Sequence, residues 1–225
     1  MCSARNPGAH ATFLQVTNTP GQRFVLEAID PDTHCVAVEL TIAIDVSKLT
    51  TLLHIDPRSF KPHTSYPIEP EDLDALIRDF DLDFASGSME VWLRSWRALD
   101  GLPYKIHTNR ELLMMLSGTK PLAVFSDDSE AEFFADHVAS GKLVKREHKY
   151  AFRAEDALRQ VFYALPEETW RINAYILIWE TAEKAGFGEW FERMEGALLG
   201  YEPWQIDAFI QTIYQAQVGP DLKND

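Results

Sequence analysis

The sequence predicts an α+β fold with an N-terminal antiparallel β-meander, a central mixed β/α segment and a C-terminal helical bundle. Residues 11–44 hold β-rich apolar runs separated by turn residues. Strand and helix signals alternate through the centre of the chain. From residue 154 onward, apolar residues recur at helical spacing between proline and glycine breaks. We therefore expect a β-rich region over 1–68, a mixed α/β region over 69–153 and a helical region over 154–225, packed as one compact body.

The N-terminal meander is predicted from three β-rich segments. Residues 11–18 and 23–29 are separated by Thr-Pro-Gly-Gln at 19–22, which is typical of a turn. Asp-Pro-Asp-Thr at 30–33 then precedes a third apolar segment, 35–44. Three antiparallel strands joined by short turns are the simplest interpretation of this pattern.

Helix and connection signals follow the meander. Asp45 has the residue type of a helix N-cap and precedes a short apolar pattern, which predicts a short helix. Residues 55–68 contain three prolines and predict an extended connection. Pro70 suits the first position of a second helix, which is predicted to end near Asp81.

The segment 88–99 carries large apolar residues that match either a helix or a strand. Met89, Trp92, Leu93, Trp96 and Leu99 follow helical spacing, whereas strict alternation places Arg94 between two tryptophans on one face of a strand. The helical pattern avoids that placement of a charged residue, so a helix ended by Gly101 is predicted.

The remainder of the centre predicts the order β-α-β-α-β. Thr108 and Glu111 have the spacing of a capping box, and Gly118 stands where a helix C-terminus favours glycine. The other predicted elements are strands at 103–107, 121–125 and 142–152 and a helix near 128–139. Beyond them, helices are predicted at 154–164, 167–185, 188–198 and 203–217.

Charge and composition restrict the expected partners and location. The net charge of −14 opposes binding to nucleic acid and to anionic membranes, and it favours a protein partner with a basic surface. No apolar window is long enough for a membrane span, and no signal sequence is visible, so a cytoplasmic protein is expected. Cys2 and Cys35 are expected to be free thiols because they lack any disulfide framework.

Candidate binding residues lie in a basic stretch within this acidic chain. The stretch contains Lys142, Lys145, Arg146, His148, Lys149, Tyr150 and Arg153. It suits an anionic ligand, but lysines also protect exposed sheet edges against mispairing, which is the more common use of such a pattern. Phe187 and Tyr201 are further candidates because they stand in predicted turns between helices.

Standard catalytic and metal-binding motifs are missing from the sequence. The histidines form no i, i+4 pair and no His-Glu-x-x-His motif, and no Gly-x-Ser-x-Gly elbow occurs. The acidic run 69–83 lacks the glycine that an EF-hand loop requires, because Phe84 occupies that position. No catalytic residue, metal ligand or cofactor is therefore assigned.

The expected function is noncatalytic binding of another intracellular protein, as an adaptor, regulator or neutralising partner. The alternative is an enzyme or enzyme subunit whose site combines dispersed histidines with an acid brought close by folding, with or without a metal. His107, His137 and His148 are the candidates for that role. Mimicry of nucleic acid by the acidic surface is disfavoured by the basic stretch 142–153.

Overall fold

A computed structural model describes residues 22–56, 58, 60–61, 64–126, 131–150 and 159–214. Within these residues, seven strands form two antiparallel sheets, and the helices lie mostly in the C-terminal half. The predicted α+β class is confirmed. No helix in the described part of the chain is both long and apolar enough to span a membrane.

The first sheet has the strand order β2-β1-β4-β3. Its strands are β1 (Gln22–Ile29), β2 (Val36–Ile44), β3 (Tyr66–Ile68) and β4 (Glu90–Ser95). The hairpin of β1 and β2 confirms the strands predicted at 23–29 and 35–44. The strand predicted at 11–18 lies outside the described residues, and the second neighbour of β1 is β4.

The helix predicted over 88–99 is wrong, because residues 90–95 form strand β4. Val91 and Leu93 point into the core of the first sheet. Arg94 points to the opposite face and is buried, with its charge balanced by carboxylates described below. The helix prediction is wrong because it treats a charged side chain as incompatible with a buried strand position. An arginine whose charge is paired with carboxylates can be buried there.

Two helices cover the apolar face of the first sheet. They are α1 (Val46–Leu52) and α2 (Pro70–Phe80). The Asp45 carboxylate accepts the backbone N–H of the second residue of α1, as the N-cap prediction requires. The second helix begins at its proline and ends at Phe80 with Asp81 as the C-cap, in agreement with the predicted end near Asp81. The connection at 55–68 contains the short strand β3.

The second sheet has the strand order β5-β7-β6. Its strands are β5 (Leu122–Phe125), β6 (Val144–Lys149) and β7 (Arg159–Ala164). The helix predicted over 154–164 is wrong for the described residues 159–164, which form the central strand. Residues 161–164 are all buried, and an uninterrupted apolar run fits a central strand as well as a buried helix.

Two helices belong to the centre of the chain, α3 (Glu111–Leu116) and α4 (Ala131–Ala139). The predicted helix positions are confirmed, but Thr108 does not cap α3, whose N-cap is Arg110. The Glu111 carboxylate accepts the backbone N–H of that arginine instead. Gly118 follows α3 with a φ of +75°, as a C-terminal glycine should.

Residues 97–110 connect β4 to α3 through a 3₁₀ turn at Ala98–Gly101 and a run of bends, so the strand predicted at 103–107 is wrong. The backbone N–H of His107 donates to the Tyr201 hydroxyl at 3.0 Å. The physical reason is that a backbone N–H here donates to a side chain, whereas in a strand it would donate to the backbone of a neighbouring strand. We call residues 97–110 the connecting segment.

The C-terminal helices are α5 (Trp170–Ala185), α6 (Glu189–Leu198) and α7 (Pro203–Phe209), and the last continues into a π-helical turn at Ile210–Tyr214. They confirm three of the four predicted helices. Buried residues of α5 pack against β7. Helices α6 and α7, with the connecting segment, form the walls of the site described next.

Candidate functional site

A buried ion-pair network holds the connecting segment over the first sheet. Arg94 donates from Nε to Glu27 on the neighbouring strand at 2.7 Å. Its two Nη atoms donate to both carboxylate oxygens of Asp100, at 2.7 and 2.9 Å. All three side chains are about one-tenth exposed. The arginine thus joins the strand to the first turn of the connecting segment.

A second ion pair holds the other end of the same segment. Glu39 lies directly opposite Glu27 in the β1–β2 hairpin, an arrangement that repels unless cations compensate it. Lys105 and Arg110 both bind the Glu39 carboxylate. Burial raises the pKa of that carboxyl, but hydrogen bonds from the two cations outweigh it and lower the pKa below its usual range. The connecting segment is therefore fixed at both ends.

A pocket of about 190 Å³ lies between the connecting segment and helices α6 and α7. Tyr104, Tyr201 and Phe209 supply aromatic walls. Glu192 and Glu195 contribute two carboxylates, and the remaining lining is mostly aliphatic. The volume far exceeds the roughly 10–15 Å³ that a single water molecule needs, so the pocket has room for a side chain or a small ligand.

The two carboxylates of the pocket differ in their partners. Glu195 accepts a hydrogen bond from the Tyr175 hydroxyl at 2.5 Å. Burial raises the pKa of Glu195, although this bond and the charge of Lys120 act in the opposite direction. The Glu192 carboxylate has no hydrogen bond or ion pair with any residue that the structure describes. Burial and the neighbouring Glu195 raise the pKa of its carboxyl.

Behind the Tyr201 wall lies a buried pair of nitrogen bases. The Tyr201 ring stacks on His107 with 3.8 Å between ring centroids. Lys120, only 3% exposed, places its Nζ 3.2 Å from His107 Nδ1. Burial and the lysine charge lower the pKa of His107 to about 3, so the imidazole is neutral and accepts this bond. Burial lowers the pKa of Lys120 to about 8, despite nearby acids that raise it.

The depressed pKa of Lys120 predicts that the protein becomes more stable as the pH rises from 7 to 9.5. Burying the charged amine lowers the free energy of unfolding. This destabilisation is greatest below about pH 8, the pKa in the folded state, and disappears as the pH approaches 10.5, the pKa in the unfolded state. We expect wild-type protein to gain about 2 kcal/mol over this interval relative to Lys120→Met. Urea unfolding of both proteins at several pH values measures the difference, in which other titrating groups cancel. If the difference in unfolding free energy between the two proteins does not change with pH, the lowered pKa of Lys120 in the folded state is contradicted.

A larger cavity, of about 240 Å³, lies between the two sheets beside Cys35. Burial raises the pKa of this thiol, which disfavours its thiolate form. Cys35 is a buried free cysteine, as expected. The cavity's carboxylates are already engaged: Glu27 by Arg94, and Glu111 by the N–H of Arg110. The smaller pocket is therefore the better candidate site.

The predicted basic residues lie on and beside β6, which is an edge strand among the described residues. Their side chains divide between two faces. Arg146 donates to Asn173 and His148 lies 3.6 Å from Glu180, both on α5. Tyr150, which is 2% exposed, packs on this same face against Trp179 of α5. On the other face Lys145 approaches the Tyr163 ring and Lys149 is exposed; Lys142, which precedes the strand, is also exposed. Arg153 lies outside the described residues.

The other predicted binding residues are separated from this strand. Phe187 is 49% exposed in the turn between α5 and α6. Tyr201, predicted in an exposed turn, is instead a half-buried wall of the pocket. His107, His137 and His148 lie on the connecting segment, α4 and β6. In the described part of the chain, no three His, Cys, Asp or Glu side chains are grouped to hold a metal ion.

Comparisons with protein-family models, with curated proteins and with solved structures found no match to this chain. The candidate site therefore depends on the geometry alone. Sequence reasoning missed Tyr104, Lys120, Glu192 and Glu195. The i, i+3 spacing of the two glutamates in a predicted helix was a signal for a shared acidic face, but nothing in the sequence identified the segment that covers it.

Proposed function

We propose that this protein is a noncatalytic binding partner of another protein in the cytoplasm and acts as an adaptor, regulator or neutralising partner. The carrying observation is the combination of exposed aromatic side chains and negative charge on residues 187–207. Such side chains supply much of the energy of protein interfaces, and complementary charge supplies orientation and a fast encounter. The expected partner therefore presents a basic surface with apolar contacts.

Residues 187–207 carry five carboxylates and a single arginine. The arginine, Arg193, is already paired with Glu189 and Asp207. Four large apolar side chains in the same stretch are at least one-third exposed, namely Phe187, Trp190, Met194 and Trp204. Exposed apolar residues surrounded by charge of one sign are typical of a surface that binds a partner.

These side chains lie on two sides of α6. Trp190 and Met194 are four residues apart and share one side, whereas Glu192 and Glu195 face the pocket on the other. Trp204, which is 53% exposed, contacts the edge of Tyr104 with 5.5 Å between ring centroids. We call Tyr104 and Trp204 the pocket mouth. The exposed aromatic surface of the pocket mouth lies next to the unpaired Glu192 carboxylate of the pocket. We therefore expect the partner protein to make contact at the pocket mouth.

Position-specific photo-crosslinking tests this proposal. A benzophenone side chain replaces Trp204 at the pocket mouth, Trp190 on the other side of α6, or Asp74 on α2. Asp74 is acidic and exposed, but among the described residues it has no exposed aromatic neighbour. In the cells that make the protein, we expect one basic protein to be captured from position 204 and not from position 74. The purified partner should bind the unmodified chain with an affinity that falls as salt rises.

Two outcomes contradict the pocket mouth as the contact point. Equal capture from positions 204 and 74 means that general charge, and not the pocket mouth, attracts the captured protein. A protein captured only from position 190 places the interface on the other side of α6. Failure of the purified protein to bind in isolation removes it as a partner.

The alternative, an enzyme, is favoured by one observation: the Lys120 amine has a pKa of about 8 and lies beside His107 and behind the pocket wall. Such an amine is a candidate nucleophile if a carbonyl compound reaches it. Treatment with a small aldehyde and cyanoborohydride at pH 8, followed by peptide mass spectrometry, compares its labelling with that of exposed Lys142. Faster labelling of Lys120 favours the enzyme, and an unlabelled Lys120 excludes this chemistry.

A further inference from the structure

We infer that the pocket between the connecting segment and α6–α7 binds the guanidinium group of an arginine side chain supplied by the partner protein. This inference rests on the proposed function, and it names the group that the pocket recognises. Three features of the pocket carry it: unpaired carboxylates, aromatic walls and the absence of a basic side chain from its described lining.

The carboxylates provide hydrogen-bond acceptors that the described residues leave unused. Glu192 has no partner among them, and Glu195 is bonded only through Oε1, to Tyr175. The two residues are three positions apart on α6, so both carboxylates project from the same side of the helix. A half-buried carboxylate without a cation is unfavourable, and a cationic ligand removes that cost.

The neighbouring basic side chains that the structure describes do not pair with the two pocket carboxylates. The charge of Lys120 acts on Glu195, but the Lys120 Nζ is directed at His107 and the Leu199 carbonyl. Arg193 projects away from the pocket toward Glu189 and Asp207. Among the described residues, the two carboxylates therefore meet the cavity without an ion-pair partner of their own.

The aromatic walls favour a cation over a neutral donor. Tyr104 and Tyr201 meet at 62° with 5.9 Å between their ring centroids, and Phe209 contributes a third ring. Aromatic faces attract cations, and the attraction is stronger where water is excluded. One face of the Tyr201 ring is covered by His107, which fixes the ring in position.

A guanidinium group fits this pocket better than an ammonium group. It presents five N–H donors in one plane, enough to reach both carboxylates at once. It also stacks on aromatic rings and gives up its water more easily than an ammonium does. The aliphatic lining, which includes Leu99, Ile106 and Ile206, suits the methylene stem of an arginine.

A nuclear magnetic resonance titration of the isotope-labelled full chain tests the inference. The probe is arginine capped as N-acetyl methylamide. The matched neutral probe is the same derivative of citrulline, which has nearly the same shape without the charge, and a third probe is the lysine derivative. We expect the arginine probe to shift resonances of residues around the pocket, with at least tenfold weaker binding of citrulline and weaker binding of lysine. Equal binding of the arginine and citrulline probes, or no binding of any probe, overturns the inference.

Substitutions at the carboxylates locate the probe. Glu192→Gln and Glu195→Gln should each weaken arginine binding by about tenfold to a hundredfold, the loss expected for a hydrogen bond to a charged group. Glu189→Gln, on the same helix but paired with Arg193, is the matched control and should change the affinity less than twofold. Unchanged affinity in both pocket variants contradicts the assignment.

Thermal unfolding of the same variants separates a lost binding group from a damaged fold. The raised pKa of Glu195 means that its charged form destabilises the folded protein above that pKa, so Glu195→Gln should keep or raise Tm at neutral pH. The Tyr175 hydroxyl can still donate to the amide oxygen of the variant. Lower affinity with undiminished Tm supports a direct contact, whereas a lower Tm in both pocket variants contradicts it.

A further probe, free agmatine, shows whether the guanidinium comes from a small molecule or from a protein side chain. Together with the crosslinking result, the titration also separates failure of the arginine site from failure of the proposed function. If free agmatine binds a hundredfold more tightly than capped arginine, the pocket recognises a small molecule and the partner's side chain is excluded. If crosslinking from position 204 captures a partner but no probe binds, the proposed function stands and the arginine site falls. If the arginine probe binds but no position-dependent crosslink forms, the proposed function fails instead.

Discussion

Arg94→Ala should lower the free energy of unfolding by about 3–5 kcal/mol, the cost of removing one partner from a buried ion pair. The substitution leaves Glu27 and Asp100 buried without the guanidinium that binds both. Burial raises the pKa of Asp100, but hydrogen bonds from Arg94 and the Arg97 backbone outweigh it and hold the pKa below its usual value. Urea unfolding at pH 7 measures the loss.

An exposed arginine provides the control for this prediction. Arg78 pairs with Asp79 on the surface of α2, and both side chains are more than half exposed. Arg78→Ala should change stability by no more than about 0.5 kcal/mol. Similar losses for the two variants would mean that the Arg94 network is not the fixed support of the connecting segment.

Gly200→Ala should lower the free energy of unfolding by about 2–4 kcal/mol, from backbone strain and overpacking together. Gly200 has a φ of +89°, in the region that favours glycine. An added Cβ would lie 2.4 Å from Pro121 Cδ, so the turn after α6 would have to move away from the start of β5. Because Leu199 and Tyr201 flank this turn, the pocket wall should move with it. Thermal and urea unfolding measure the loss of stability.

Gly118→Ala separates the cost of backbone strain from the cost of overpacking. Gly118 also has a positive φ, of +75°, but an added Cβ would meet no atom within 4 Å. Its cost should be only about 1 kcal/mol, from the backbone alone. Equal costs at the two positions would show that close contact with Pro121 contributes nothing.

Much of the fold follows from local signals in the sequence. The β1–β2 hairpin, the capped start of α1, the proline start of α2 and the three C-terminal helices all have turn or cap residues at their ends. These signals act over a few residues, so they are visible without knowledge of tertiary contacts. The edge position of β6 also agrees with its high charge.

The helix predicted over 88–99 and the described part of the helix predicted over 154–164 are wrong for tertiary reasons. Strand β4 buries Arg94 on the face opposite the core of the first sheet because two carboxylates, one of them 67 positions away, neutralise it. Strand β7 lies between two strands and is buried on both faces, which removes the alternation that marks a half-exposed strand. Neither the ion pairs nor the strand order is encoded within a local window.

The candidate site was hidden for the same reason. Tyr104 and Tyr201 are far apart in the chain, and they meet only because ion pairs hold the connecting segment in place. Tyr201 was a candidate from its position in a turn, but the burial of Lys120 and the unpaired state of Glu192 depend on packing alone.

The affinity of the crosslinked partner for two double variants tests the central claim most directly. Glu192→Gln with Glu195→Gln alters the pocket, whereas Glu69→Gln with Glu71→Gln removes the same charge from exposed positions at the start of α2. If the pocket holds an arginine of the partner, the first variant should bind at least about tenfold more weakly and the second should bind nearly as wild type. Equal losses in the two variants would show that only net charge matters and would contradict the pocket as the binding site.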